Sequence, residues 1–269
     1  MSRFLAMAVL FAAAACLAEE MPSSDDAAMS TDRPGYGEST DIVGRRVLQF
    51  EAGLTVDNTS EDGAHSHTLG VPGTVFRTGV ASCMEFRSST DGVQYQHDSA
   101  PDAASVSHAG LADFGIGAKF RLLQEHRHAP AVSMIAELTF PTGSGGFSDG
   151  GYNPEVEIIW AKSLGRGFSA GGNLNVWWSP GDTGGSPGHA QSLTFGHALP
   201  AGLQGFWEVY HVAPPPGPDA PSWNTDAGFS RMIGKNAQWD LEAGHSLMAR
   251  VSDWFIGAGL SFRVFVGRN

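Results

Sequence analysis

Hydrophobic and polar residues alternate with a period of two along most of the chain beyond residue 44. In "GLADFGIGAKFRLL" (110–123) the even positions are Ala112, Phe114, Ile116, Ala118, Phe120 and Leu122, and every charge, Asp113, Lys119 and Arg121, falls on an odd position. The rule recurs. Leu48, Phe50, Ala52, Leu54 and Val56 share a parity opposite Glu51. Val132, Met134, Ala136, Leu138 and Phe140 stand opposite Glu137, and Val156, Ile158 and Trp160 stand opposite Glu155 and Glu157. Later segments switch parity but keep the segregation: Leu203, Trp207 and Val209 oppose Glu208 and Tyr210, and Trp239 and Leu241 oppose Asp240 and Glu242. Short alternating segments bounded by Gly, Pro, Ser and Asp predict strands, and they recur about twelve times with no amphipathic helix among them.

A soluble antiparallel sheet alternates in the same way, so a secreted β-sandwich is the rival fold. Two features favour a barrel in lipid. The links alternate long ("DNTSEDGAHSHT", "DSAPDAASVSHA", "TGSGGFSDG", "SPGDTGGSPGH", "APPPGPDAP") and short ("AS", "LGR", "PA", "IGKN"), as outer loops and periplasmic turns do. Trp160, Trp178, Trp207, Trp223, Trp239 and Trp254 take the apolar parity near strand ends, where aromatic girdles meet the two interfaces. Hydrocarbon cannot hydrogen-bond backbone groups, so an all-β chain within it must close on itself. A Lys or Arg facing lipid at mid-membrane costs roughly 2–4 kcal/mol, which is what the parity rule avoids. The expected fold is therefore all-β: an antiparallel transmembrane β-barrel of about twelve strands, an even number that puts both termini in the periplasm. The segment "CMEFRSSTDGVQYQH" (83–97) alternates cleanly only to Arg87, and residues 88–97 read as strand rising beyond the membrane, with Asp91-Gly92 also suited to a tight turn.

"MSRFLAMAVLFAAAACLAEE" opens with Arg3, an apolar run and small residues, the pattern of a secretory signal peptide over residues 1–18. An uncleaved apolar start and lipidation at Cys16 are the alternatives. Residues 19–44, acidic and rich in Ser, Pro and Gly, read as a flexible periplasmic lead, leaving 45–269 for the barrel. The formal net charge of −12 argues against a nucleic-acid partner. The implied partners are outer-membrane lipid, the outer-membrane assembly machinery and a small solute.

"TDRPG" (31–35), "GLADFGIGAKFRLL", "FPTG" (140–143) with "FSDGGYNP" (147–154), and "DWFIGAGLSF" (253–262) together resemble the bacterial outer-membrane family labelled putative MetA-pathway of phenol degradation. The likeness runs from residue 31 to 269. It implies a barrel of about twelve strands and a transport role, sometimes tied to aromatic compounds. Barrels of this kind usually end in an aromatic residue, whereas this chain runs past Phe265 to Val266, Gly267, Arg268 and Asn269.

The polar parity collects Glu51, Glu85, Asp113, Glu137, Glu155, Glu157, Glu208, Asp226, Asp240 and Glu242 against Arg77, Arg87, Lys119, Arg121 and Arg263. These charges either select a passing solute or form an ion-pair network that fills a narrow barrel. Trp177, Phe206 and Tyr210, with Ile135 and Ile159, share that parity and are candidates for an aromatic or apolar lining. Arg33 is a candidate plug that folds into the acidic lumen. The pairs His65/His67 and His126/His128 lie in expected loops or turns with no third ligand, so no metal site and no cofactor are expected. A lipid hydrolase needs a Ser, a His and an orienting acid together. No G-x-S-x-G occurs, and His108, His197, His211 and His245 merely sit near strand ends, so a catalytic site is not expected. Passage of a small, aromatic or hydrophobic solute across the outer membrane is the favoured reading. A structural or adhesive barrel without traffic is the main alternative, and the hydrolase is the second.

Overall fold

The structure, a computed structural model, describes residues 29–144, 146–179, 187–217, 220–248 and 251–266. The expected signal peptide and the first part of the lead lie outside the described residues. Fourteen strand segments follow one another: β1 (Val47–Glu61), β2 (Ala64–Ala81), β3 (Met84–Thr90), β4 (Val93–Ala100), β5 (Ala103–Leu111), β6 (Phe114–Leu123), β7 (Ala131–Phe140), β8 (Asn153–Gly165), β9 (Phe168–Trp177), β10 (Gly188–Ala198), β11 (Leu203–Ala213), β12 (Ser222–Ile233), β13 (Ala237–Ser246) and β14 (Val251–Phe265). All pairings between them are antiparallel, and β1 bonds to both β14 and β2, so the sheet closes.

The segments form twelve staves. β3 and β4 keep one register against β2, with Thr90 opposite Thr74 and Val93 opposite Val71. The interruption falls opposite Pro72, which has no N–H to give a ladder. β5 and β6 are likewise one stave broken at Ala112 and Asp113, with Leu111 opposite Val93 and Phe114 opposite Thr90. Asp91-Gly92 is thus a break within a rising strand and not a hairpin. β6 pairs with β7, but β5 pairs only with β4, so the upper half of this stave has a free edge.

Two links expected to be long are not loops. Residues 57–68 and 98–109 belong mostly to β1–β2 and β4–β5, joined through Asp62-Gly63 and Pro101-Asp102. These hairpins carry polar residues on both faces, such as Asp57, His67, Gln96 and Ser107. Their ladders persist, but with water on both sides nothing imposes a hydrophobic period.

The barrel is built inside out. Leu174, Ile256, Leu260, Phe229 and Trp207 are exposed on the outer face, while the fully buried large side chains include Arg77, Lys119, Glu51, Glu85 and Glu208. Lipid covers the first set, so only the interior has to satisfy charge.

The lead departs most from expectation. Residues 29–44, read from sequence as flexible, lie inside the barrel, with Met29, Asp32, Thr40, Ile42 and Val43 buried. They touch wall strands one residue at a time, a pattern with no period to detect.

Candidate functional site

The lead runs between two charged walls. On one side stand Arg77 of β2, Glu85 and Arg87 of β3 and Lys119 of β6, each on the inward parity. Arg77 donates from Nε to Glu85 at 2.8 Å and from Nη1 to Glu51 at 2.9 Å. Arg87 grips Glu38 of the lead with both terminal nitrogens, each at 2.6 Å. Lys119 Nζ lies 2.7 and 2.8 Å from the two oxygens of Asp32 and donates to the Ser39 carbonyl at 2.9 Å. Asp32 Oδ2 is also 3.3 Å from Arg77 and from Arg87. Burial opposes charge on Asp32, but Arg77, Lys119 and Arg87 outweigh it and hold the carboxyl well below the usual carboxylate range. Three buried cations around one carboxylate make Asp32 the centre of this wall.

Across the lumen stand Glu208 of β11, Asp226 of β12, and Asp240 and Glu242 of β13. The lead meets them with Arg33, 3.3 Å from Asp240 and 3.5 Å from Glu242, and with backbone amides. Gly35 N donates to Glu242 at 2.7 Å, and Tyr36 N and Gly37 N donate to Glu208 at 2.8 and 3.1 Å. The Arg33 guanidinium lies over Gly53 and Gly259, facing residues of β1 and β14, and a Cβ on either glycine would come within 2.5 Å of it. Both oxygens of Asp226 are buried, and among the described residues neither has a hydrogen-bond partner. The rings of Tyr36 and Tyr210 stack at 4.4 Å and 5°.

Two chambers border the lead. One, of about 530 Å³, lies between residues 29–41 and the walls of β9 to β11 and includes Phe206 and Gln204. The other, of about 630 Å³, lies on the loop-bearing side and includes Tyr36, Glu137, Glu155 and Trp177. Arg33 borders both.

The family model described as "Putative MetA-pathway of phenol degradation" matches residues 31–264. The chain belongs to this family. No curated protein matches it in sequence. Among solved structures, the COG4313 outer membrane channel from Pseudomonas putida F1 superposes with a TM-score of 0.60 at 12% identity, covering 91% of this chain and 100% of that one. The β domain of the Bordetella autotransporter BrkA gives 0.55 at 14% identity, covering 80% and 99%. The transport unit of the Escherichia coli autotransporter AIDA-I gives 0.51 at 8% identity, covering 82% and 90%. These likenesses establish the outer-membrane barrel fold.

For this member of the phenol-degradation family, the structure separates the sequence-derived site residues into groups. Glu51, Arg77, Glu85, Arg87, Lys119 and Glu137 gather around the lead on one side. Glu208, Asp226, Asp240 and Glu242 gather on the other. Glu155 and Glu157 lie between, bonded to Asn175 and Asn173 respectively. Three candidates stand apart. Asp113 is not on a wall strand. It sits at the β5–β6 break and accepts the amides of Gly143 and Asp149 at 2.7 and 2.9 Å, pinning the "FPTG" and "FSDGG" segments to the barrel. Arg263 lies at the turn end, bonded to Asn236 at 3.0 Å and 5.3 Å from the Phe265 ring. Arg121 lies near that end of β6. Sequence reading missed Asp32, Tyr36 and Glu38. The available signal was the alternation of sign in "DRPGYGE", set against a wall with both surplus acids and buried bases.

Proposed function

We propose that the barrel passes a small solute across the outer membrane and that residues 29–44 are its internal plug. The supporting observation is that the lead fills the space between two chambers, with Arg33 bordering both. The plug is held unequally: buried ion pairs fix it to β2, β3 and β6, while one part-exposed guanidinium and a few amides hold it to β11 and β13. Movement away from the acidic wall, with the basic wall as anchor, opens the path. The family description names phenol degradation, and Trp177, Phe206, Tyr210 and Tyr36 give the path an aromatic lining, which suits an aromatic or partly apolar solute.

The reading includes no catalytic step. Ser60 with His65, and Ser107 with His97, are each 2.9 Å apart. Among the described residues, no carboxylate hydrogen-bonds either imidazole to complete a triad. The turn-bearing end, which holds the described start of the chain and the end of β14, faces the periplasm in this reading, and residues 1–18 direct export.

Planar-bilayer recordings test the proposal. The intact chain should give small, flickering conductance, and deletion of residues 29–40 should raise it several-fold. Unchanged conductance after deletion removes the plug. Absence of both conductance and liposome swelling in either form favours the structural or adhesive barrel.

A further inference from the structure

On β12 the lipid-facing parity runs through Ala227, Phe229, Arg231 and Ile233. Phe229 and Ile233 are 50% and 55% exposed. Across the ladders, Leu203 of β11 and Trp239 of β13 stand directly opposite Arg231. Arg231 is thus an exposed cation with apolar neighbours on every side of it on the outer surface, and it makes no ion pair among the described residues. It breaks the rule that keeps charge off this face. Lys162, which shares the outward parity, is spent on Glu125 at 3.0 Å. A guanidinium in such a place carries its head to the edge of the hydrocarbon on an apolar stem, the level at which an indole such as that of Trp239 is also at home. The anionic group met at that level is a lipid phosphate.

A second observation concerns the whole turn-bearing end. Arg45 and Arg46 precede β1, and Arg127, Arg166 and Lys235 lie in the links β6–β7, β8–β9 and β12–β13. All five are exposed and make no ion pair among the described residues. Of the exposed acids described at this end, Asp41 and Glu125, the second is spent on Lys162. The opposite end differs: its described residues, in 57–68, 91–113, 141–153, 214–223, 245–248 and 251–253, contain no Lys or Arg, and Arg250 lies outside the described residues. The turn cations are interleaved with exposed apolar side chains, Leu164 and Phe168 on either side of Arg166, and Ile233 between Arg231 and Lys235. That mixture suits the boundary of a bilayer, where each kind of side chain finds its own solvent. An acidic soluble protein would satisfy the cations and leave Leu164, Phe168 and Ile233 in water. Anionic lipid satisfies both, and each Lys or Arg near such a surface adds to the attraction.

We propose that Arg231, with Lys235 in the adjoining turn, forms a binding site for the headgroup phosphate of an anionic phospholipid in the leaflet at the turn-bearing end. Such a site needs only a barrel standing in lipid and is independent of any solute path.

The test uses the full chain in phosphatidylcholine liposomes, with brominated lipid added to quench nearby tryptophan. The emission lost in Trp239→Phe reports on the turn-bearing end. The emission lost in Trp254→Phe, opposite Asn58, reports on the loop-bearing end. Brominated phosphatidylglycerol should bind beside Trp239 roughly fivefold or more tightly than brominated phosphatidylcholine, with no such preference beside Trp254. Molar salt should remove the preference. Arg231→Gln should lower it about fivefold, the worth of one basic residue at an anionic surface. Lys235→Gln, on an exposed turn, should lower it roughly twofold and serves where Arg231→Gln fails to insert. Soluble glycerol phosphate should not displace the lipid. Displacement by it would mean a site for free phosphate and would overturn the lipid assignment. A preference as strong beside Trp254, or one untouched by both substitutions, would overturn the site. Equal quenching by the two lipids beside Trp239 would do the same and would leave the turn cations to an acidic protein partner.

Discussion

The wall of β2, β3 and β6 and the wall of β11 to β13 grip the same sixteen residues, 29–44, with opposite charge and different economy. On the first, each base has a carboxylate: Arg77 has Glu51 and Glu85, Arg87 has Glu38, and Lys119 has Asp32. All but Glu38, whose side chain is 22% exposed, are nearly inaccessible to water. On the second, four carboxylates share one guanidinium, a few amides and the Thr194 hydroxyl, and among the described residues neither oxygen of Asp226 has a hydrogen-bond partner within 3.5 Å and good geometry. Removing one member of a buried, satisfied pair leaves its partner charged and unsolvated, which is costly. Removing a member of an under-satisfied set releases repulsion along with attraction. The first wall is thus built to hold, and the second to let go.

Lys119→Met should have the largest effect. It strands Asp32 between two arginines with one fewer donor and is expected to cost about 3–5 kcal/mol, measured as a lower temperature for the heat-induced mobility shift in SDS gels. Asp32→Asn should come next, and its pH dependence carries a sign. Because the folded-state carboxyl titrates below its ordinary range, its contribution is complete above that range and is lost only as pH falls through the lowered value. The stability gap between the native chain and Asp32→Asn should therefore persist from neutral pH through about pH 4, the ordinary aspartate region, and close only in stronger acid. A gap that closed near pH 5 would contradict the arrangement. Glu242→Gln should change stability by only about 1 kcal/mol, because it relieves repulsion with Asp240 and Glu208 while Arg33 keeps Asp240, yet raise the open fraction in bilayer recordings. Equal stability losses for Glu242→Gln and Lys119→Met would abolish the distinction between the walls. Gly188→Ala, whose added Cβ would overlap the Trp177 indole, should do least: a displaced Trp177 emission and little change in unfolding.

How far the sequence foretold this depends on what each residue answers to. Lys119 and Arg121 on one parity and Phe120 and Leu122 on the other answer to the two sides of their own strand, and that is visible within a few residues. The hairpins at 57–68 and 98–109 answer to water on both faces, so the alternation that marks a strand fades although the ladder continues. Arg33 answers to Asp240 and Glu242, more than 200 residues away, and Asp32 to bases on three strands at once. Such contacts leave no local period. They were legible only as an imbalance: inward-facing charges of both signs, and a short lead carrying Asp32, Arg33 and Glu38 with nothing of its own to pair them.

The free edge of β5 also fixes a depth. Ser144 closes the last rung at Leu111, its hydroxyl taking the amide and its own amide meeting the carbonyl at 2.7 and 2.9 Å; from Ala109 upward no strand adjoins that edge. Unpaired peptide groups are not tolerated in hydrocarbon, so the acyl chains of the surrounding leaflet must stop at about the level of Leu111. The outward side chains agree, passing from Val71, Val93 and Leu111 through Leu69 and Tyr95 to His67, His97 and Ser107 within two rungs. The waterline of this protein is written in its backbone, and everything above it, including both tall hairpins, stands clear of the acyl chains.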